Sequence, residues 1–176
     1  MKLSYEIFSQ LDVAAAIPEA FLTAFQLLFW VGESFPSTNV LIHGGGSGVG
    51  TSAIQLAKLN DQRVFATAGS EKKLFKMSRL GADRTLNYKE HSFSEVLKNE
   101  EVNLILDCVG GSYWEKNIEV LSRDGIWVLF GLLGGPYVDG PILAKLLAKR
   151  AQIRASTLMS RSNDYKAKLV RIIFIY

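Results

Sequence analysis

One segment constrains the fold of this 176-residue chain more than any other: an apolar run that breaks into a glycine-rich turn and then a helical pattern. The apolar run covers residues 40–42 and is followed by His43, and positions 44–50 hold five glycines. The helical pattern that follows has Val49, Ala53 and Leu56 on one face. In this order, a strand, a glycine turn and a helix N-terminus form a place where main-chain N–H groups and the helix dipole meet a phosphate.

The glycine turn by itself leaves two interpretations open. The dinucleotide fingerprint G-x-G-x-x-G matches at Gly45, Ser47 and Gly50, with a serine in place of the middle glycine. A glycine-rich turn between a strand and a helix also occurs without any cofactor. The rest of the chain has to decide between a nucleotide site and a plain turn.

Strands and helices alternate along the remainder of the chain. Five further strands are predicted, from Arg63 to Thr67, Arg84 to Tyr88, Val102 to Val109, Ile126 to Phe130 and Gln152 to Leu158. Serines are placed to cap the helices between them, at Ser70 and in two capping boxes, Ser92 with Glu95 and Ser112 with Glu115. The pattern predicts an α/β fold of the Rossmann type, with a doubly wound, six-stranded parallel sheet.

The ends of the predicted strands favour a nucleotide site. Ligands of such sheets bind at the carboxyl ends of the strands. Four of the five ends carry glycine, at residues 44–50, Gly69, residues 110–111 and Gly131, and the fifth is Tyr88. This convergence at one edge is typical of a dinucleotide site.

The end of the second strand discriminates between the two nicotinamide dinucleotides. NAD sites place an Asp or Glu there to bind the ribose hydroxyls, and the same acid is expected in a methyltransferase. Residues 67–73 read Thr-Ala-Gly-Ser-Glu-Lys-Lys, with a small, neutral strand end. Ser70 can donate to a 2′-phosphate, and Lys72 or Lys73 can add positive charge, although a helix cap and solvated lysines are the alternative. The pattern favours NADP(H).

The composition of the chain argues against several other classes of protein. The net charge is +3 and no basic cluster alternates with aromatic residues, so nucleic-acid binding has no support. Cys108 is the only cysteine, which rules out a disulfide framework and a multi-cysteine zinc site and fits a cytoplasmic setting. No signal peptide is predicted, because Glu6, Gln10 and Asp12 interrupt the N-terminal segment. No membrane span is predicted, because the most apolar segment, residues 20–32, is too short to cross a bilayer.

Several longer segments resemble the zeta-crystallin-like quinone oxidoreductases of the medium-chain dehydrogenase/reductase superfamily. They are residues 14–28, 40–50, 69–70, 87–89, 104–116 and 127–131. The resemblance implies a zinc-independent enzyme that passes a hydride from NADPH to a quinone. It also implies a homodimer paired through the last strand, from Gln152 to Leu158; an edge covered by the tail after Ser162 is the alternative.

The resemblance divides the cofactor site into three parts and assigns no catalytic or metal-binding residue. The pyrophosphate is expected on Gly46, Ser47, Gly48, Val49 and Gly50. The 2′-phosphate is expected among Ser70, Lys73 and Tyr88, beside Gly69. The nicotinamide side is expected along Thr23, Cys108, Val109, Phe130 and Gly131.

The resemblance also sets the domain boundaries. Residues 1–10 lie outside the family pattern, 11–36 form connecting helices, 37–160 form the NADP(H)-binding Rossmann domain, and 161–176 form a truncated C-terminal helical tail. The family's GroES-like catalytic domain has no counterpart in this sequence. We therefore expect part of the apolar helix from Pro18 to Val31 to be exposed. A non-catalytic isoform that binds NADPH or pairs with full-length subunits is the alternative to an active reductase.

Three side chains near the strand ends resemble catalytic groups. His43 follows the first strand, and we expect a packed, hydrogen-bonded histidine rather than a general base. Asp107 and Cys108 end the fourth strand, with no histidine predicted beside them. We expect Asp107 to be structural and Cys108 to be a small wall residue.

Overall fold

The computed structural model of the protein describes residues 11–173, with side chains from residue 18 onward. The predicted extension at residues 1–10 and the last three residues of the predicted tail lie outside the described residues. Six parallel strands form one sheet in the order β3-β2-β1-β4-β5-β6. The strands are β1 Asn39–Ile42, β2 Arg63–Ala68, β3 Arg84–Asn87, β4 Val102–Asp107, β5 Leu121–Leu129 and β6 Gln152–Ala155. The strand order reverses between β1 and β4, which confirms the predicted Rossmann topology.

Within residues 11–173, seven α-helices flank the sheet: α1 Leu11–Phe25, α2 Gly48–Leu59, α3 Glu71–Arg79, α4 Phe93–Leu97, α5 Trp114–Val120, α6 Ile142–Lys149 and α7 Asn163–Ile173. A π-helical segment, Gln26–Val31, continues α1, and a 3₁₀ turn, Gly111–Tyr113, precedes α5. No helix in the described part of the chain is long and apolar enough to cross a membrane.

The central strands are apolar on both faces because helices cover the sheet from both sides. In β1, Val40 and Ile42 pack into the core shared with α1, α2 and α7, whereas Leu41 packs into the core shared with α4 and α5. The same alternation in β4 places Leu104 and Leu106 on the first side and Ile105 on the second. The sheet is therefore doubly wound, as predicted.

Several strand bounds and both capping boxes differ from the prediction. Strand β5 runs from Leu121 to Leu129 rather than from Ile126 to Phe130, and β3 ends at Asn87 rather than Tyr88. The predicted sixth strand is too long, because β6 ends at Ala155, and β4 ends at Asp107 rather than Val109. Both capping boxes are wrong: Ser92 makes no capping hydrogen bond, and α5 begins at Trp114, after the 3₁₀ turn. Ser70 does occupy the N-cap position of α3, but its side chain makes no capping hydrogen bond either.

The first helix begins earlier than predicted and is better covered. Pro18 suits a first helical turn, but the alanine-rich segment before it, a strong helix former, extends α1 back to Leu11. Every residue from 20 to 32 is buried or half-buried. Helix α7 supplies part of the cover, since the rings of Trp30 and Tyr165 meet edge to face with centroids 4.8 Å apart. The expected exposed apolar face is therefore wrong.

Candidate functional site

The turn between β1 and α2 is held tightly by main-chain contacts. Gly44 has a φ of +65°, a conformation that favours glycine. The N–H of Gly45 donates to the Thr67 carbonyl (2.9 Å), and that of Ser47 donates to the Gly44 carbonyl (2.9 Å). A Cβ on Gly50 would lie 2.4 Å from the Gly44 oxygen, so only glycine lets α2 begin this close to β1.

Three N–H groups of this turn are left available for a ligand. The Ser47 side chain caps α2 by accepting from the Gly50 N–H (3.1 Å), which leaves its hydroxyl proton free to donate. Among the described residues, the N–H groups of Gly46, Gly48 and Val49 have no acceptor. Ser47 and Gly48 are exposed. Free donors at the N-terminus of a twelve-residue helix form an anion-binding geometry.

The ends of β2 and β3 lie beside this turn. Lys73 extends from α3 across Gly46, so that a Cβ on Gly46 would lie 2.8 Å from the Lys73 Cδ. Tyr88 covers Gly69, where an added Cβ would lie 2.5 Å from the tyrosine oxygen. Ser70 is exposed, and its hydroxyl has no partner among the described residues. The structure therefore brings the four residues predicted around a 2′-phosphate to one end of the sheet.

The ends of β4 and β5 lie on the other side of the turn, across the switch point of the sheet. The Cys108 thiol donates to the His43 carbonyl (3.7 Å), and a Cβ on Gly44 would lie 3.0 Å from its sulfur. A Cβ on Gly131 would lie 2.9 Å from the Cys108 oxygen. Burial raises the pKa of the Cys108 thiol, with the nearby Asp107 charge acting in the same direction, so the residue is a thiol at neutral pH.

The loop after β5 packs against the loop after β4, a contact that the sequence did not predict. Leu133 donates its N–H to the Cys108 carbonyl (3.1 Å), and Gly134 donates to the Val109 carbonyl (2.7 Å). Phe130, the first residue after β5, donates its N–H to the Asp107 carbonyl (2.9 Å). Cys108, Val109, Phe130 and Gly131 therefore form one wall. Thr23 is half-buried on α1, one turn after Ala20, which is the residue nearest to Gly48; its place beside that wall stays a prediction.

A fully buried polar network lies beneath this wall. The His43 ring is 3.0 Å from Thr67 Oγ1 through Nδ1 and 2.7 Å from Asn117 Oδ1 through Nε2. The Asn117 amide donates to Asp107 Oδ2 (3.1 Å), and the Trp127 indole N–H donates to the same oxygen (3.0 Å). His43 is therefore a packed, hydrogen-bonded histidine and Asp107 is structural, as predicted.

Thr67, Asn117 and Trp127 belong to this network but were missed in the sequence. One signal was available for Asn117, because it lies on the same helix face as the buried Trp114 and Ile118. A polar residue in such a position needs a hydrogen-bonding partner. Nothing in the sequence indicated which strand would supply that partner.

Burial of His43 makes the stability of the fold depend on pH. Desolvation lowers the pKa of the imidazole below its usual 6.5, so the folded protein holds the ring neutral. The unfolded chain takes up a proton below about pH 6.5, and stability present above that pH is lost as the pH falls. We expect the free energy of urea unfolding to decrease between pH 7 and pH 5.5, by up to about 1.4 kcal/mol per pH unit.

The matched variant for this measurement is His43→Gln, which keeps a donor but does not titrate. Its free energy of unfolding should vary less than that of the wild type over the same interval, since carboxyl groups titrate near pH 4. Equal pH dependence in the two proteins would show that His43 is not the group responsible.

The described residues do not offer a metal site. Nowhere between residues 11 and 173 do three His, Cys, Asp or Glu side chains lie together in a way that could hold an ion. The chemistry of this edge is instead that of free N–H donors, a hydroxyl and lysine side chains.

A doubly wound parallel sheet with an anion-binding turn at its switch point defines a nucleotide-binding domain of the Rossmann class. Comparison with known proteins narrows this class. The model of the zinc-binding dehydrogenase family matches residues 48–174, and the chain belongs to that family.

Individual relatives agree with the resemblance in the sequence. The chain is 28% identical to prostaglandin reductase-3 of Mus musculus over 165 residues, which is 88% of this chain and 44% of the relative. It is 33% identical to a quinone oxidoreductase of Salmonella typhimurium over 141 residues, covering 71% of this chain and 43% of that one. The structure of Escherichia coli quinone oxidoreductase complexed with NADPH has a TM-score of 0.81 and 29% identity, covering 92% and 52% of the two chains. The chain spans about half the length of these relatives.

Proposed function

We propose that this chain binds NADP(H) at the carboxyl edge of its sheet and serves as the hydride-donor part of an NADPH-dependent quinone oxidoreductase. The observation that carries the proposal is the group of three free N–H donors at Gly46, Gly48 and Val49, beside the free proton of the Ser47 hydroxyl. This donor set fits a pyrophosphate. The quinone oxidoreductase bound to NADPH, which shares the fold, supports the choice of ligand.

The choice of NADP(H) over NAD(H) follows from the charges around β2 and β3. The end of β2 carries no carboxylate that would repel a 2′-phosphate, and Ser70 has a free hydroxyl. Lys73 lies across the turn with no ion-pair partner among the described side chains. Tyr88 borders the same space. A 2′-phosphate placed there would gain charge-assisted hydrogen bonds.

When bound, NADPH supplies a hydride at its nicotinamide ring. The residues of this chain would contribute binding and orientation: the turn would hold the pyrophosphate, and Cys108, Val109, Phe130, Gly131 and Thr23 would line the nicotinamide side. The raised pKa of Cys108 keeps its sulfur uncharged beside the ring.

We further propose a homodimer formed by antiparallel pairing of β6. Gln152, Ile153 and Ala155 of this edge strand are exposed, and α7 packs against α1. An open strand edge with unpaired N–H and C=O groups favours such pairing. Sedimentation of the chain and of an Ile153→Pro variant would test this: the wild type should dimerise and the variant should not.

The cofactor is tested by fluorescence titration of the chain with NADPH and with NADH. We expect NADPH to bind at least about tenfold more tightly, because one charge-assisted contact to the 2′-phosphate is worth about 1.4 kcal/mol or more. The control is Lys73→Met, which keeps the stem over Gly46 but removes the charge and should reduce the preference for NADPH. Tighter binding of NADH would overturn the assignment.

Turnover is tested on the same polypeptide with NADPH and an ortho-quinone. Oxidation of NADPH that depends on the quinone supports the reductase. Saturable NADPH binding without turnover would favour the non-catalytic, cofactor-binding alternative. Turnover of an α,β-unsaturated ketone but not of a quinone would correct the substrate class and leave the cofactor assignment intact.

A further inference from the structure

The buried network under the nicotinamide wall has a fixed direction. Asn117 donates its amide N–H to Asp107, so its oxygen faces His43 and can only accept. His43 Nε2 therefore carries the proton and donates to Asn117. A neutral ring then leaves Nδ1 as an acceptor for the Thr67 hydroxyl. All three hydrogen bonds therefore donate in the same direction, from Thr67 to His43, from His43 to Asn117 and from Asn117 to Asp107.

Both ends of this series of hydrogen bonds support main-chain segments of the candidate cofactor site. At one end, the Thr67 carbonyl accepts the N–H of Gly45 in the phosphate-binding turn (2.9 Å). At the other end, Asp107 Oδ1 accepts the N–H groups of Val109 (2.6 Å) and Gly110 (3.2 Å). Gly110 has a φ of +80°, so its loop adopts a conformation that needs such support.

We propose that His43, Asn117 and Asp107 form a positioning relay that holds residues 108–110 in the shape that binds the nicotinamide half of NADPH, and that the relay requires a neutral His43. The proposal rests on the function proposed above. None of the three side chains is exposed to the cofactor space, since all are fully buried. They act through the main chain of Cys108, Val109 and Gly110.

Protonation of His43 would break the direction of the relay. A charged ring donates from both nitrogens, so the Thr67 hydroxyl would have to turn and accept. The titratable groups packed around the ring are Asp107 and Cys108 at the end of β4, Tyr113 before α5, and Lys116, whose ammonium lies 5.9 Å from the Phe93 ring that packs on His43. Burial raises the pKa of Tyr113 to about 12, and it raises the pKa of Cys108 as well, so both side chains are uncharged between pH 5.5 and pH 8.

The test compares binding of the whole cofactor with binding of its adenine half. The probes are NADPH and adenosine 2′,5′-bisphosphate, which carries the adenine and the 2′-phosphate but no nicotinamide. In His43→Leu and in Asn117→Leu, the Kd for NADPH at pH 8 should rise about tenfold, while the Kd for the bisphosphate changes less than about twofold. Thermal unfolding identifies any variant that is not folded at the assay temperature, and the other variant then decides.

His43→Gln provides the rescue, since a glutamine amide can donate from nearly the position of Nε2. Its affinity for NADPH at pH 8 should lie closer to the wild type than that of His43→Leu. Between pH 7 and pH 5.5 the ratio of the two Kd values should stay constant, because burial holds His43 neutral in the folded protein. Titration of the 2′-phosphate is common to both proteins and cancels in this ratio.

Three results would overturn the relay: equal losses for both probes, unchanged NADPH affinity in both leucine variants, or an affinity of His43→Gln no closer to the wild type than that of His43→Leu. These outcomes differ from failure of the proposed function. In that case the wild type itself binds neither NADPH nor the bisphosphate.

Discussion

Replacement of Gly50 by alanine is expected to lower the free energy of unfolding by about 3 kcal/mol and to remove measurable NADPH binding. A Cβ at this position would lie 2.4 Å from the Gly44 oxygen and 2.6 Å from the Gly45 Cα. Both neighbours are main-chain atoms of a turn pinned to β2 by the bond from Gly45 to the Thr67 carbonyl. The clash can only be relieved by moving α2 away from the sheet, which displaces the N–H donors as well.

Gly48→Ala is the matched control for this variant. Among the described side chains, its Cβ would meet only the Cβ of Ala20 at 3.7 Å, an ordinary contact, at the first residue of α2. We expect a free energy of unfolding within about 1 kcal/mol of the wild type, on the stabilising side, because alanine is the better helix former. Urea unfolding and circular dichroism measure the pair. Equal midpoints for the two variants would refute the argument from close approach.

Asp107→Ala is expected to be even more destabilising, by about 4 kcal/mol. The carboxylate is fully buried and accepts from the N–H groups of Val109 and Gly110, from the Asn117 amide and from the Trp127 indole. Alanine would leave four donors without their acceptor, three of them buried, and each buried group left unpaired costs roughly 1–3 kcal/mol. The effect should be visible as a large shift in the urea midpoint.

Two further variants show whether the lost acceptor is the cause. Asp107→Asn keeps the shape but replaces one oxygen by a donor, so its midpoint should lie between those of the wild type and Asp107→Ala. Asp124→Ala removes an exposed carboxylate whose ion pair is with Arg150, and it should unfold close to the wild-type midpoint. A loss in Asp124→Ala as large as that in Asp107→Ala would contradict the role given to burial.

The candidate site illustrates which parts of a site follow from local sequence. The turn between β1 and α2 was predictable because a strand, a run of glycines and a helix start are neighbours along the chain. The buried polar network was not, because Thr67, Asn117 and Trp127 come from β2, α5 and β5, and only the packing of these elements brings them to His43 and Asp107. Likewise, the serine at position 112 looked like a helix cap, but the contact between residues 133–134 and the end of β4 bends the chain into a 3₁₀ turn there.

The sequence by itself determined the class of fold, the edge of the sheet that carries the candidate site and the absence of a carboxylate at the end of β2. These properties depend on periodicity and on residues next to each other in the chain, which local geometry converts directly into strands, turns and helix starts. Only the tertiary structure decided that α7 covers the apolar first helix, that β6 stops at Ala155, and that His43 is held neutral within a directed network. Each of those outcomes depends on contacts between residues distant in sequence, whose geometry no local pattern specifies.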